Sequence, residues 1–358
     1  MDLHRSHRAL RGRHLHACAG VLLGLLCGAS IACDDDDGST STATSQGMTS
    51  GGNPQCSKDS DCGTGQMCSG GACVDASWVV GGDGAVLRVG GDGSSESHEP
   101  LAPGLFAIEC NGEAEAWVVG AAGYVARTSD GGAHWSTVAT GVHADLHDVE
   151  ADHGVMVSAV GTDGVWLVID DAGMRSIDGA TGSLAGVAMG AAGLLAIADD
   201  GTVWSAEPTA GLAVAIATLD GTPQAIDLAH DVARGVAVGR DGALWWSADG
   251  VQWRALDSGT QHDLHAVQIA RDGRGAIAVG AAGTIVRVDL DADAPIVTHV
   301  ELATDDLRDI HLDWQGHGAA VGDAGIVALT EDAGLSFELV HTSRSDLVGV
   351  DALGPEHW

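Results

Sequence analysis

From residue 76 onward the polarity pattern of the chain repeats. An apolar run, a two-residue turn ending in glycine and a second apolar run recur seven times. They read "WVVGGDGAVLRV" (78–89), "WVVGAAGYVART" (117–128), "SAVGTDGVWLVI" (158–169), "AIADDGTVWSA" (196–206), "AVGRDGALWWSA" (237–248), "AVGAAGTIVRV" (278–288) and "AVGDAGIVALT" (320–330). Each predicts a β-hairpin whose turn glycine supplies positive φ. The turn glycines are Gly84, Gly123, Gly164, Gly201, Gly242, Gly283 and Gly325, spaced 39, 41, 37, 41, 41 and 42 residues apart. "MGAAG" at 189–193 imitates the turn but breaks this spacing, giving 29 and 49 instead.

A second element precedes most of the turns. It is a Leu-x-x-Val/Ile pattern: "LHDV" (146–149), "LAGV" (184–187), "LHAV" (264–267) and "LRDI" (307–310). A period of about 40 residues with four strand-like pieces predicts an all-β, seven-bladed β-propeller over 76–358, the Leu-x-x-Val pieces lining the central channel. The first hairpin lacks its inner strand, and "LVGV" (347–350) follows the seventh turn. That C-terminal piece is expected to complete the first blade and close the ring, leaving no free edge.

"DLHDVEADHG", "AVGTDG" and "VVGAAGYVARTSDGGAHW" resemble the photosystem II stability/assembly factor-like family and, more loosely, the BNR/Asp-box propellers. The resemblance covers 76–358 and implies a scaffold that binds protein partners. Ser129, Asp130, Gly132 and Trp135 spell the S-x-D-x-G-x-x-W Asp-box. The same offset of seven residues from the turn glycine gives Asp171 with Gly173, Asp249 with Gly250 and Trp253, and Asp332 with Gly334 and Phe337. Such a carboxylate can accept the turn's own N–H groups while the glycine takes a left-handed conformation and the aromatic covers it. This is a structural staple, not a catalytic group.

A sialidase-type site implies three arginines, a Tyr–Glu pair and an Asp acid. The chain has a single tyrosine, Tyr124, directly after a hairpin turn. Arg88, Arg127 and Arg287 share one position, four residues after their turn glycines. They are candidates for a shared binding patch, with pairing to neighbouring acids as the plainer expectation. His147 and His265 fill one slot of the Leu-x-x-Val strand, and across the channel they are weak candidates for a transition metal. "DLDADA" (289–294) begins like a calcium loop but lacks the glycine and the closing acid. No P-loop, dinucleotide fingerprint or G-x-S-x-G elbow occurs, so no cofactor is expected.

The ends and the composition add location. "MDLHRSHRALRGRHLH" followed by "ACAGVLLGLLCGASI" predicts a signal peptide over 1–32. "GASIAC" resembles a lipobox with Cys33 as the lipidated residue, although Ser30 stands where that motif favours Leu. Residues 33–54 read as a disordered acidic, Ser/Thr/Gly-rich linker. Residues 55–75 form a cysteine-rich mini-module in which Cys56, Cys62, Cys68 and Cys73 predict two disulfides of three alternative connectivities, or less readily a zinc site. Cys110 is expected to be a buried thiol.

Without residues 1–32 the chain holds 12 Lys and Arg against 49 Asp and Glu, a formal charge of −37. Nucleic acid is excluded as a partner, and the membrane is reached through the lipid anchor only. The expectation is a non-catalytic scaffold in the bacterial cell envelope that binds protein. The alternative is an extracellular glycan-binding protein or degenerate glycoside hydrolase. A glycan site would want an exposed aromatic, for which Trp314 is the best candidate, with a core or interblade position as the plainer expectation. A hydrolase would need Asp or Glu clustered at the channel mouth, one of them with a raised pKa.

Overall fold

The computed structural model describes residues 56–352 apart from 64, 113, 153–155, 292–294, 303–304, 314 and 343–345. The expected signal peptide, Cys33, the linker and Trp314 lie outside these residues. Seven antiparallel sheets follow one another along the chain. Blades 2 to 7 each have four strands, and their inner strands are Leu105–Cys110, Leu146–Asp152, Leu184–Gly190, Pro223–Leu228, Leu264–Ile269 and Leu307–Leu312. Blade 1 takes its inner strand, Leu347–Ala352, from the other end of the chain. It pairs antiparallel with Ala72–Gly81 in a register running from Ser77 opposite Ala352 to Gly81 opposite Leu347. The seven-bladed ring is therefore closed by the C-terminal strand.

The core is divided among the seams. Seven apolar clusters occur, one between each pair of neighbouring blades. The second strand of each blade packs against a neighbour on both faces, so Val79 and Val80 are adjacent and both fully buried. This is why these strands read as unbroken apolar runs instead of alternating ones.

All seven turn glycines have positive φ. In five blades the residue before the glycine is left-handed too, as in Ala122 (φ 55°, ψ 34°) before Gly123 (φ 74°). This is a type I′ turn, whose twist matches the flanking strands. Space is a second constraint on the glycine: a Cβ on Gly123 would lie 2.3 Å from the carbonyl oxygen of Val142. "MGAAG" is instead the hairpin between the inner and second strands of blade 4, with Gly190 opposite Gly193.

The cysteine-rich segment is not a separate bead. Cys56 pairs with Cys68 and Cys62 with Cys73. Strand Gln66–Ser69 pairs with the first half of Ala72–Gly81, whose second half is the second strand of blade 1. The boundary expected at 75/76 thus falls inside one continuous strand. Cys110 is buried outside the two disulfides.

Candidate functional site: the central channel and its mouth

Inner strands all run the same way. Their N-terminal ends and the glycine turns therefore share one face, here called the entry face, and the turns leading to the outer strands share the opposite face. The channel and the cleft continuous with it enclose about 1700 Å³. The second position of each inner strand rings the mouth: Phe106, His147, Ala185, Gln224, His265, Arg308 and Val348.

Each polar member of this ring is held by a neighbour. His147 Nδ1 donates to the Leu184 carbonyl of the next blade at 3.0 Å. His265 Nδ1 donates to Gln224 Oε1 of the preceding blade at 2.9 Å. Burial, and after it the Arg308 charge, hold His265 below the usual histidine range. Arg308 makes a bidentate pair with Asp323, both contacts at 2.8 Å. Phe106 meets His147 edge-on at 6.0 Å and remains the exposed apolar element of the ring. Each histidine's bond engages Nδ1 alone, and His265 Nε2 is buried without a hydrogen-bond partner. Among the described residues, the only three ligand atoms grouped closely enough for a metal are sulfurs of Cys56, Cys62 and Cys73, all of which lie in the disulfides.

Below the mouth lies a layer that the sequence reading did not single out. An inner strand pairs with a strand on one side only. Its other edge carries N–H groups that need acceptors. Aspartates at the third or fifth strand position supply them, each bridging two blades. Asp148 accepts from Val149 and from Val187 of the next blade, both at 2.9 Å. Asp227 accepts from Leu228 and Ile269, both at 2.7 Å. Asp309 accepts from Ile310 at 2.9 Å and from Val350 at 2.8 Å. Asp351 carries the series onward by accepting from Ala352 and from Cys110 of blade 2, and it also pairs with His311. Gln268 does the same work without charge, accepting from Leu312 N–H and donating to Leu312 carbonyl.

Enclosure sets the electrostatics. Burial raises Asp148 to about 6 and Asp227 and Asp309 to about 7, against the pull of their N–H bonds. Glu109 and Glu150, at the fifth position of blades 2 and 3, are pushed well above the usual carboxylate range, first by burial and then by neighbouring acids, Asp351 for Glu109 and Asp227 for Glu150. Burial also pushes Asp351 upward, but the His311 charge and its hydrogen bonds outweigh it and hold it low. The wall therefore carries a mixture of protonated and ionised acids at neutral pH. The signal in the sequence was the acid at position three or five of the pattern, in "LHDVEAD", "AIDL", "LRDIHL" and "LVGVDA"; attention to position two alone passed over it.

The three arginines do not form a patch. Arg88 is buried in blade 1, over the Trp78 ring at 5.4 Å, and pairs with Asp59 at 3.0 Å. Arg127 lies over Trp117 at 5.2 Å and pairs with Glu115. Both are cross-strand stacks, Trp78 facing Arg88 and Trp117 facing Arg127. Arg287 stands between Ile277 and Thr298 in blade 6.

The outer turns match the staple geometry at three of the four motif positions. Asp130 accepts from Thr128 Oγ1 and from His134 N–H, both at 2.9 Å. Asp249 accepts from Val251 and Gln252 N–H at 2.9 and 2.7 Å. Asp332 accepts from Thr330 Oγ1 at 3.0 Å and from Ser336 N–H at 2.8 Å. Ser129 makes no described contact in this turn, whereas Thr128 Oγ1 also receives Gly132 N–H at 2.9 Å. Trp135 meets Trp78 of blade 1 edge-on at 6.2 Å, Trp253 Nε1 reaches the Gly250 carbonyl at 3.2 Å, and Phe337 packs on the core between blades 6 and 7. Blade 3 departs from the pattern. Its turn is a tight hairpin with Asp170 opposite Gly173, and Asp170, not Asp171, accepts the turn N–H of Ala172 at 2.9 Å. The turn glycines also touch the preceding blade: a Cβ on Gly132, Gly250 or Gly334 would lie 2.2 Å from Trp78, 2.5 Å from Ala192 or 2.4 Å from Ile277.

No protein-family model matches the sequence, and no curated protein matches it. Among solved structures, the chain is similar to YCF48 bound to D1 peptide, at 18% identity and a TM-score of 0.53, covering 66% of this chain and 82% of that one. It is also similar to the WD40 β-propeller domain of Doa1, at 13% identity and a TM-score of 0.58, covering 70% of this chain and 86% of that one. At these identities the likeness is one of fold.

Proposed function

We propose that this chain is a non-catalytic propeller scaffold that holds a segment of a protein partner at the entry-face mouth, displayed from the cell envelope by a lipid on Cys33. One observation carries the reading. The mouth offers Phe106 amid polar side chains on a rigid ring, while Asp148, Asp227, Asp309 and Asp351 beneath it are committed to holding blades together. A fixed, closed ring with an open mouth suits recognition. The YCF48 structure of similar fold contains a bound peptide, which supports the same use here. The test is crosslinking in the native membrane, recovery of residues 33–358 through a C-terminal tag, and mass spectrometry. A stoichiometric partner is expected, with about tenfold less recovered from Phe106→Ser if the ring is an anchor. Cys33→Ala should change the yield by releasing the tether. Absence of any protein partner would sink this reading.

Glu109 and Glu150 favour a second reading, glycan binding or glycoside hydrolysis. Carboxyls pushed upward by burial and neighbouring acids are what a general acid requires. Turnover of aryl glycosides that disappears in Glu109→Gln or Glu150→Gln would establish it, and inertness toward a broad panel would remove it.

A further inference from the structure

We propose that the cysteine-rich segment is an oxidation-dependent clasp on blade 1: its disulfides present Asp59 to Arg88, a charge that the propeller buries and that the segment neutralises. The inference rests on the export reading above only for its biological sense, and its test involves no partner.

The parts are few. Arg88 belongs to strand Val86–Gly90, the third of blade 1, and is only 7% exposed. Its guanidinium lies over Trp78, itself fully buried, and its Nε has no hydrogen-bond partner. Glu96 stands opposite Arg88 on the outer strand but is exposed. Burial pulls the Arg88 pKa down, and Asp59 is the foremost group that pushes it back. A buried guanidinium with one acceptor depends heavily on that acceptor.

Asp59 is supplied from outside the propeller. It sits in the short turn Asp59–Asp61, between Cys56 and Cys62, and its two oxygens do different jobs. Oδ1 accepts Cys68 N–H at 2.8 Å and Oδ2 accepts Arg88 Nη1 at 3.0 Å. Cys68 is the partner of Cys56, and Cys73, the partner of Cys62, lies on the strand that runs on into blade 1. The turn that carries Asp59 is thus tied to the sheet on both sides by sulfur. Its own apolar support is small, with Met67 and Cys56 as its buried side chains. A segment of this size depends on cross-links to hold its shape.

Each bond forms when two thiols lose two electrons and two protons to an external disulfide by thiol–disulfide exchange. Before that step Arg88 lacks its fixed counter-charge. Blade 1 is also the blade that joins the two ends of the ring, through Ala72–Gly81 and Leu347–Ala352. Oxidation therefore reports to the closing blade. In an exported protein this delays completion of the ring until the chain has left the reducing compartment.

The test uses the folded, oxidised protein of residues 33–358, with and without dithiothreitol. Reduction is expected to lower the thermal midpoint of the wild type by about 5–10 °C. Asp59→Asn, with both disulfides intact, should reproduce a large part of that loss. Arg88→Met, which keeps the stacking volume and removes the charge, should lose at least half of its sensitivity to reduction. Equal sensitivity in Arg88→Met and wild type would overturn the proposal, because the disulfides would then act by shortening the unfolded chain alone. If Arg88→Met does not fold, hydrogen exchange on the wild type decides. About tenfold faster exchange in Val86–Gly90 on reduction is expected; acceleration confined to residues 56–73 would overturn it.

Discussion

Aspartates do the same chemical work at two places in this molecule and titrate in opposite directions. On the outer turns, Asp130, Asp249 and Asp332 accept N–H groups of their own turn in the open. Hydrogen bonds win there: the His134 side chain and backbone hold Asp130 down at about 2, and Asp249 and Asp332 are lowered by Gln252 and Ser336. In the channel, Asp148, Asp227 and Asp309 accept N–H groups of two blades and are raised, because burial outweighs the same bonds. The bond type is shared, and solvent access decides the sign.

The largest consequence is an inverted pH profile. A group whose folded pKa lies above its unfolded value binds more protons when folded, so its contribution is full below about pH 4 and is lost as pH rises through its folded pKa. For the channel acids that window runs from the ordinary aspartate value, 3.8, up to about 7. Asp351 and the outer aspartates, being lowered, contribute above the same ordinary value and lose that contribution as pH falls below it. The thermal midpoint should therefore peak near pH 4 and fall by about 10 °C toward pH 8. Asp309→Asn should flatten the fall, and a midpoint that rises steadily from pH 5 to 8 would break the comparison.

Next comes Gly132, where the outer turn meets Trp78. Gly132→Ala combines a positive φ of 83° with a Cβ placed 2.2 Å from a buried ring. A loss of about 3–4 kcal/mol in a denaturant titration is expected. Asp309→Ala should cost about 2–3 kcal/mol, since it leaves the N–H groups of Ile310 and Val350 without their acceptor at the ring-closing seam. Its signature is faster hydrogen exchange in Leu347–Ala352. Asp130→Ala is the mildest, about 1 kcal/mol by analogy with a lost cap, because water can replace an exposed carboxylate. Equal losses at positions 309 and 130 would show that enclosure is not what separates the two regions.

Much of this was legible without coordinates. The turn glycines and the inner strands follow from requirements that act within a few residues: a left-handed turn position and strands buried on both faces. The closing strand follows from the repeat count, whose first hairpin lacks an inner strand. The outer aspartates were legible at short range too, since their donors lie two to four residues away. Asp171 misled because an offset from the turn glycine counts residues, whereas the hairpin of blade 3 is shorter and moves the turn to Asp170.

What only the tertiary structure decided lies across the seams. The partners of Asp148, Asp227 and Asp309 are 39, 42 and 41 residues further on, and that of Asp351 is 241 residues back. The pairing of four closely spaced cysteines, Cys56 with Cys68 and Cys62 with Cys73, was likewise not given by their spacing. Arg88, one of three arginines at the same repeat position, found its acceptor 29 residues upstream, outside the repeat altogether. A repeating sequence fixes each blade through short-range backbone and burial demands. The charges at the blade edges acquire their roles only once the ring has closed and excluded water around them.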